Sequence, residues 1–183
     1  MRSKNSIRLL AVCLPVLLVS AVYFPDNSMA QEVCTETAQN RAANTEYTKQ
    51  HVIDSADIPG HQIRIFEIHF TFPDAKANCE GLKQVETWTW GYSDYTNGSG
   101  RAWGYGVTIF DNGDKWFTDY SGTSQVLVNP EGPGKRLFTG TGVITGGTGV
   151  YKGVRGTVRN KTYFDPETGY NEGEQTREYW IEK

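Results

Sequence analysis

The chain has 183 residues, of which 21% are charged, and its formal net charge at neutral pH is −3. This mildly acidic balance argues against nucleic acid or an anionic membrane surface as a partner. The length corresponds to a single domain that can bury a core without a structural metal.

The first 30 residues have the pattern of a secretory signal peptide. Three basic residues precede an apolar run from Leu9 to Val22, and Ser28-Met29-Ala30 fits a small-x-small cleavage site. The apolar run is short for a transmembrane helix. Cleavage would leave 153 residues, with 15 Lys and Arg against 20 Asp and Glu. We therefore expect a secreted or periplasmic protein that has no membrane contact after cleavage.

The mature chain is predicted to consist of an N-terminal arm, residues 31–60, and one β domain, residues 61–183. The arm is polar, and it is expected to hold at most a short helix and a first strand at His51-Val52-Ile53. Period-two alternation in the domain predicts strands, and Asn112-Gly113 between two of them predicts a tight hairpin. About eight antiparallel strands follow. Four cover residues 61–72, 83–92, 103–109 and 115–122; residues 136–139 then lead into the glycine-rich stretch, where two short strands meet at Gly146 and Gly147, and a last hairpin joins 156–164 with 174–181.

Glycine is concentrated in one stretch, GTGVITGGTGVYKGVRGTVRN, which covers residues 140–160. A P-loop is excluded, because the Gly134-Lys135 pair is followed by arginine and lacks the first glycine of the motif. A dinucleotide fingerprint is excluded as well, since the spacing is GxGxxxG and leads into β-forming residues. Glycines among β-branched residues mark sharp bends. We therefore favour a closed antiparallel barrel over a sandwich.

The segment ITGGTGVYKGVRGTV resembles the glycine signature of the allene oxide cyclase and dirigent families. It covers part of the last third of the chain. The resemblance implies an eight-stranded antiparallel barrel of lipocalin-like, or calycin-like, shape. It also implies a homotrimer and a cofactor-free reaction on a small organic molecule.

Two cysteines, Cys34 and Cys79, follow the leader. An even pair in an oxidising compartment predicts one disulfide. The three histidines and these cysteines do not have the spacing of a zinc site, so we expect no metal.

Glu67 and His69 are the candidate catalytic residues. They are two positions apart on the clearest strand, so both side chains point to the same face. If that face is internal, the pair forms a partly buried acid and base. The alternative is that Phe66, Ile68 and the phenylalanines after them fill the core while Glu67 and His69 meet solvent.

A second candidate site is an aromatic wall on the next two strands. Aromatic walls can stack on a sugar or enclose a flat apolar ligand, and the alternative is core packing between neighbouring strands. The residues are Trp88, Trp90, Tyr92, Trp103 and Tyr105.

Three functions remain open, and the sequence does not decide whether the protein is an enzyme. The first is a barrel that binds a small apolar molecule and steers its cyclisation or coupling without a cofactor. The second is a non-catalytic module for a sugar or lipid. The third is an interaction protein whose barrel is filled by its own side chains. No GxSxG elbow supports a serine nucleophile.

Overall fold

The computed structural model describes residues 32–132 and 134–182. Within them, no helix has the length and apolar character needed to cross a membrane. The predicted leader, residues 1–30, lies outside the described residues. The strands are β1 (Cys34–Asn40), β2 (Thr45–Asp54), β3 (His61–Thr71), β4 (Gln84–Thr96), β5 (Ser99–Phe110), β6 (Lys115–Val126), β7 (Arg136–Gly147), β8 (Val154–Asp165) and β9 (Tyr170–Ile181).

All nine strands belong to one antiparallel sheet, in the order β1-β9-β8-β7-β6-β5-β4-β3-β2. The prediction of an all-β antiparallel fold is therefore confirmed, with nine strands rather than about eight. Backbone closure is not confirmed, because the ladders of the described residues leave β1 and β2 as the two ends of the row. Side chains from every strand nevertheless converge on one central space, so the sheet is rolled.

The predicted N-terminal arm differs from the structure. Residues 31–60 contribute β1 and β2, which are separated by one short 3-10 helix, Ala42–Asn44. β1 pairs with β9 along its whole length. Its sequence, CTETAQN, has no alternation of large apolar residues, so backbone hydrogen bonding makes it a strand without leaving a sequence signal.

The predicted turns are present. In the hairpin between β5 and β6, Phe110 N donates to Asp114 O at 2.9 Å, and Gly113 has a φ of +86°. A left-handed φ of this kind favours glycine. The glycine-rich stretch ends β7 at Gly147, passes through a 3-10 turn at Gly149–Tyr151, and begins β8 at Val154.

Curvature of the sheet depends on glycine pairs. Gly91 faces Gly104 across β4 and β5, and Gly122 faces Gly140 across β6 and β7. A Cβ at Gly104 would lie 2.2 Å from the Trp90 carbonyl oxygen, and one at Gly122 would lie 2.3 Å from the Thr139 carbonyl oxygen. The strands therefore approach more closely at these pairs than side chains would permit.

One end of the roll is filled by a hydrophobic core. Trp116 packs against Phe110, Tyr151 and Tyr179, with ring centroids 4.9 to 5.3 Å apart. The predicted disulfide between Cys34 and Cys79 is formed at this end, with Cα atoms 6.2 Å apart. We call it the core end.

Candidate functional site

The rolled sheet encloses a cavity of about 140 Å³. A cavity of about 150 Å³ is large enough to hold a benzene-sized molecule. Its apolar lining includes Phe66, Ile68, Phe70, Phe138, Val158 and Phe164, and its polar lining includes Tyr47, Arg64, Ser93, Tyr95, Tyr120, Asn171 and Arg177. Apolar walls with a few fixed polar groups are typical of small-molecule sites.

Toward the core end, the cavity meets a layer of bonded polar groups around Arg177. The Arg177 guanidinium donates through Nη1 to Glu36 Oε1 at 2.9 Å and to Gln84 Oε1 at 2.6 Å. It also lies over the Trp116 ring, 5.4 Å from the centroid. Only 3% of Arg177 is exposed, and its charge is compensated by Glu36. This end of the cavity is closed and electrically balanced.

Toward the other end, the lining includes the exposed Gln50 of β2 and the half-buried Pro166 in the turn between β8 and β9. The Gln50 side-chain amide donates to the Pro166 carbonyl at 3.4 Å. The cavity therefore reaches the surface here. We call this the arginine end, because Arg64 lines it.

Three tyrosines, of which Tyr95 is buried and Tyr47 and Tyr120 are half-buried, supply phenol groups to the cavity. Burial raises the pKa of Tyr47 to about 12 and also raises the pKa of Tyr95 and Tyr120. All three therefore stay protonated at neutral pH. The Tyr120 hydroxyl lies over the glycine pair of β4 and β5, where a Cβ at Gly91 would come within 2.4 Å of it. The absence of a Cβ at these glycines thus leaves space for the Tyr120 side chain and also permits the curvature of the sheet.

Glu67 and His69 face away from the cavity. Phe66, Ile68 and Phe70 of the same strand line it, so the two candidates lie on the outer surface of β3. Glu67 accepts bonds from Thr48 Oγ1 at 2.7 Å, Lys49 Nζ at 3.2 Å and Trp90 Nε1 at 2.6 Å. The Thr48 bond, followed by those from Lys49 and Trp90, lowers the pKa of Glu67 to about 2. Such a carboxylate is a weak base at neutral pH.

His69 is held by neighbours on the same outer surface. Its Nε2 lies 2.7 Å from Glu86 Oε2, and its ring stacks on Trp88 with centroids 4.0 Å apart. The structure does not bring Glu67 or His69 to an internal ligand. The hypothesis of an internal acid and base required the side chains of Glu67 and His69 to point into the rolled sheet, and on β3 they point outward.

The aromatic wall is also external, since Thr87, Thr89 and Ser93 of β4 point inward instead. Its rings are close to parallel across the strands: Trp90 with Tyr105 at 6.2 Å, and Tyr92 with Trp103 at 5.9 Å. These four residues are 38 to 47% exposed. The wall is therefore neither core packing nor part of the cavity, but a surface patch.

The polar residues that line the cavity were missed at the sequence level, although the alternative interpretation of β3 had Phe66 and Ile68 pointing inward. Tyr47, Arg64, Tyr95, Tyr120 and Asn171 occur on five different strands and form no motif. One signal was present. Along most strands the inward-facing residues are the alternate positions that include the strand's glycines, and along β3 they are the alternate positions that include Phe66. Among the described residues there is no group of three His, Cys, Asp or Glu side chains placed to hold a metal ion.

Together, fold and site define a rolled, barrel-like antiparallel sheet that encloses a ligand-sized cavity. Among solved structures, the chain is similar to that of a pterocarpan synthase dirigent protein, with a TM-score of 0.47 and 11% identity over 89% of this chain and 100% of that one. No protein-family model matches the chain, and no curated protein matches it significantly.

Proposed function

We propose that the protein binds a small, largely apolar organic molecule inside the rolled sheet. The cavity carries this proposal: it has about 140 Å³ of space, phenylalanine walls, one end closed by core residues and one end that reaches solvent. A barrel filled by its own side chains would leave no such space. The disulfide supports a secreted or periplasmic location, because disulfides persist in oxidising compartments.

The same geometry supports steering of a bound molecule toward cyclisation or coupling. A narrow, shaped cavity restricts the conformations of a flexible ligand, and fixed hydrogen-bond donors can select one orientation. The protonated phenols of Tyr95 and Tyr120 and the guanidinium of Arg64 are such donors. This chemistry needs no cofactor. Glu67 and His69 remain candidates only for an activity on the outer surface.

Binding is tested by titrating the purified protein with 4-nitrotoluene, a neutral aromatic probe, in a calorimeter. Gly106 lines the cavity, and the nearest atom to a Cβ there would be 3.7 Å away, so this glycine tolerates a Cβ and Gly106→Val is chosen to fill the space beyond it. Gly146→Val is the matched control, because Gly146 is not among the lining residues and a Cβ there would meet only Arg155 Nη1, at 3.9 Å. We expect saturable binding by the wild type and the control, and a loss in Gly106→Val. No binding by the wild type would refute the proposal.

A second candidate function is binding at the aromatic wall, which the exposure of its rings favours. Exposed aromatic rings stack on sugars or insert among lipid headgroups. Cellohexaose and phosphatidylcholine vesicles are suitable probes, with tryptophan fluorescence as the signal. Trp103→Ala should weaken binding, whereas Tyr163→Ala, which removes an exposed ring from β8, should not. Equal behaviour of the two variants would exclude the wall as the binding face.

The homotrimer that the resemblance implies stays a prediction. Native mass spectrometry of the purified protein measures the assembly and any co-purified ligand together. A mass of one chain would exclude it.

A further inference from the structure

At the arginine end, the structure holds two guanidinium groups in a largely buried position. Arg64 of β3 lines the cavity, and Arg136 begins β7. Arg136 lies against the turn between β4 and β5, where a Cβ on Gly98 would come within 2.8 Å of its Nε. Burial, followed by repulsion from Arg136, lowers the pKa of Arg64, as expected for two nearby positive charges.

Several donors of this group have no partner. Arg64 Nε, Arg136 Nη1 and Ser93 Oγ are buried and make no hydrogen bond to any part of the chain that the structure describes. Ser93 is the cross-strand partner of Arg64, so these two unpaired groups are neighbours. An unpaired buried polar group costs about 1–3 kcal/mol. Such groups are rare in folded proteins, and each calls for an explanation such as a functional role or a bound water or ion.

The positive charge is also poorly compensated. Arg64 Nη2 donates to a neutral acceptor, Gln62 Oε1, at 2.9 Å, and Gln62 in turn donates to Asp54. The carboxylate nearest to Arg136 is that of Glu167, which is 69% exposed and lies 3.9 Å from Nη2. The buried Asp165 carboxylate is paired with Lys135 at 3.1 Å.

The surrounding phenols do not supply the missing negative charge. The charges of Arg64 and Arg136 act to lower the pKa of Tyr47 and of Tyr95. Burial has the larger effect and raises the pKa of each phenol, so both phenols remain neutral. They can donate hydrogen bonds to an oxyanion. The arginine end thus combines the Arg64 guanidinium, a serine hydroxyl and two phenols around one space, with the Arg136 guanidinium close enough to Arg64 to repel it.

We propose that this end of the cavity binds the carboxylate of the ligand, and that the apolar part of the ligand occupies the phenylalanine-lined space toward the core end. The inference rests on the proposed binding function and specifies its substrate class: a small carboxylic acid with an apolar body. Arginine is suited to this role because its planar group forms two parallel hydrogen bonds with a carboxylate. The charge orients the molecule, with the carboxylate at the surface and the apolar body inward.

The test compares two probes of nearly identical shape, 4-methylbenzoate and neutral 4-nitrotoluene, by calorimetry at neutral pH. A charge-assisted hydrogen bond strengthens binding by about tenfold or more. We therefore expect the wild type to bind the benzoate at least about tenfold more tightly. Arg64→Gln and Arg136→Gln should each remove most of this preference, because the benzoate loses more affinity than 4-nitrotoluene does.

Arg159→Gln is the matched control, since Arg159 lies on the outer surface of β8 and pairs with Glu178. Arg64→Lys keeps the charge and serves if Arg64→Gln does not fold; we expect it to retain part of the preference. Equal affinities for the two probes in the wild type would overturn the carboxylate site while the binding function stands. A preference unchanged in both arginine variants would also overturn it. Failure of both probes to bind would refute the binding function itself.

Discussion

Asn171 of β9 donates a hydrogen bond from Nδ2 to the phenol oxygen of Tyr47 of β2, at 3.1 Å. Asn171 also accepts one from Asn40 Nδ2 of β1, at 2.8 Å. β1 and β2 are the two ends of the hydrogen-bonded row. Side chains therefore join the ends of the rolled sheet, next to the cavity that these residues line.

Asn171→Ala tests this junction. The substitution removes the donor to the Tyr47 phenol, and it leaves Asn40 Nδ2 only the 3.3 Å bond to the backbone carbonyl of residue 171. Losing or weakening a hydrogen bond of this kind costs about 1–3 kcal/mol. We expect the free energy of unfolding in urea to fall by about 2–4 kcal/mol. Gln39→Ala, which removes an exposed amide from β1, should cost under about 0.5 kcal/mol. Similar losses in both variants would show that the junction contributes no special stability.

The close approach of β4 and β5 predicts different outcomes for two glycines of one strand. Gly104→Ala would place a Cβ 2.2 Å from the Trp90 carbonyl oxygen, a backbone atom that cannot move alone. We expect a loss of about 1–3 kcal/mol in unfolding free energy. Gly106→Ala meets no atom closer than 3.7 Å and should be neutral or stabilising by up to about 1 kcal/mol. A neutral Gly104→Ala would contradict the curvature argument.

The lowered pKa of Glu67 predicts that part of the folding stability is lost in acid. Its pKa falls from 4.5 in the unfolded chain to about 2 in the folded protein, mainly because Thr48 donates to it, with Lys49 and Trp90 adding to the effect. A lowered pKa stabilises the fold above pH 4.5, and this contribution is lost as the pH falls toward 2. The urea midpoint should therefore decrease less steeply across this range in Glu67→Gln than in the wild type. Glu46→Gln, at an exposed position on β2, is the control and should follow the wild type.

Removal of the disulfide is expected to lower stability, with the largest local effect at one edge of the sheet. Cys34 and Cys79 are 45 residues apart, for which the chain-entropy estimate is about 4 kcal/mol. We expect the double alanine variant to lose about 2–4 kcal/mol. Because β1 is an end strand that pairs with β9 in the described sheet, its amides should lose more protection from deuterium exchange than those of β6 and β7, which share only the general loss of stability. Uniform acceleration across the sheet would indicate a global rather than an edge effect.

Alternation along β3 correctly assigned residues to faces, but it could not tell which face is internal. Ile63 and Ile65 share the face of Glu67, while Phe66 and Ile68 share the other, so both faces carry apolar residues. In β4 and β5, the size of a side chain did not indicate whether it points into the rolled sheet. The largest side chains, such as Trp90 and Trp103, point outward, because the inward space beside the Gly91–Gly104 pair is already occupied by Phe66 and Tyr120.

The arginine end could not be predicted from the chain. Arg64 and Arg136 are on β3 and β7, which are not neighbours in the row, and each is an isolated arginine in its own strand. They approach each other only because the sheet rolls. Tyr47 and Asn171 are likewise joined across the two ends of the row.

The amino-acid sequence by itself determined the antiparallel strands, most of their turns and the disulfide pair, because alternation, turn chemistry and cysteine number are local or compositional properties. Only the tertiary structure decided which face became the cavity wall and which side chains meet across it. The direction in which a sheet rolls is a collective result of close glycine contacts on several strands. Inside and outside are therefore properties of the whole sheet, and no single strand encodes them.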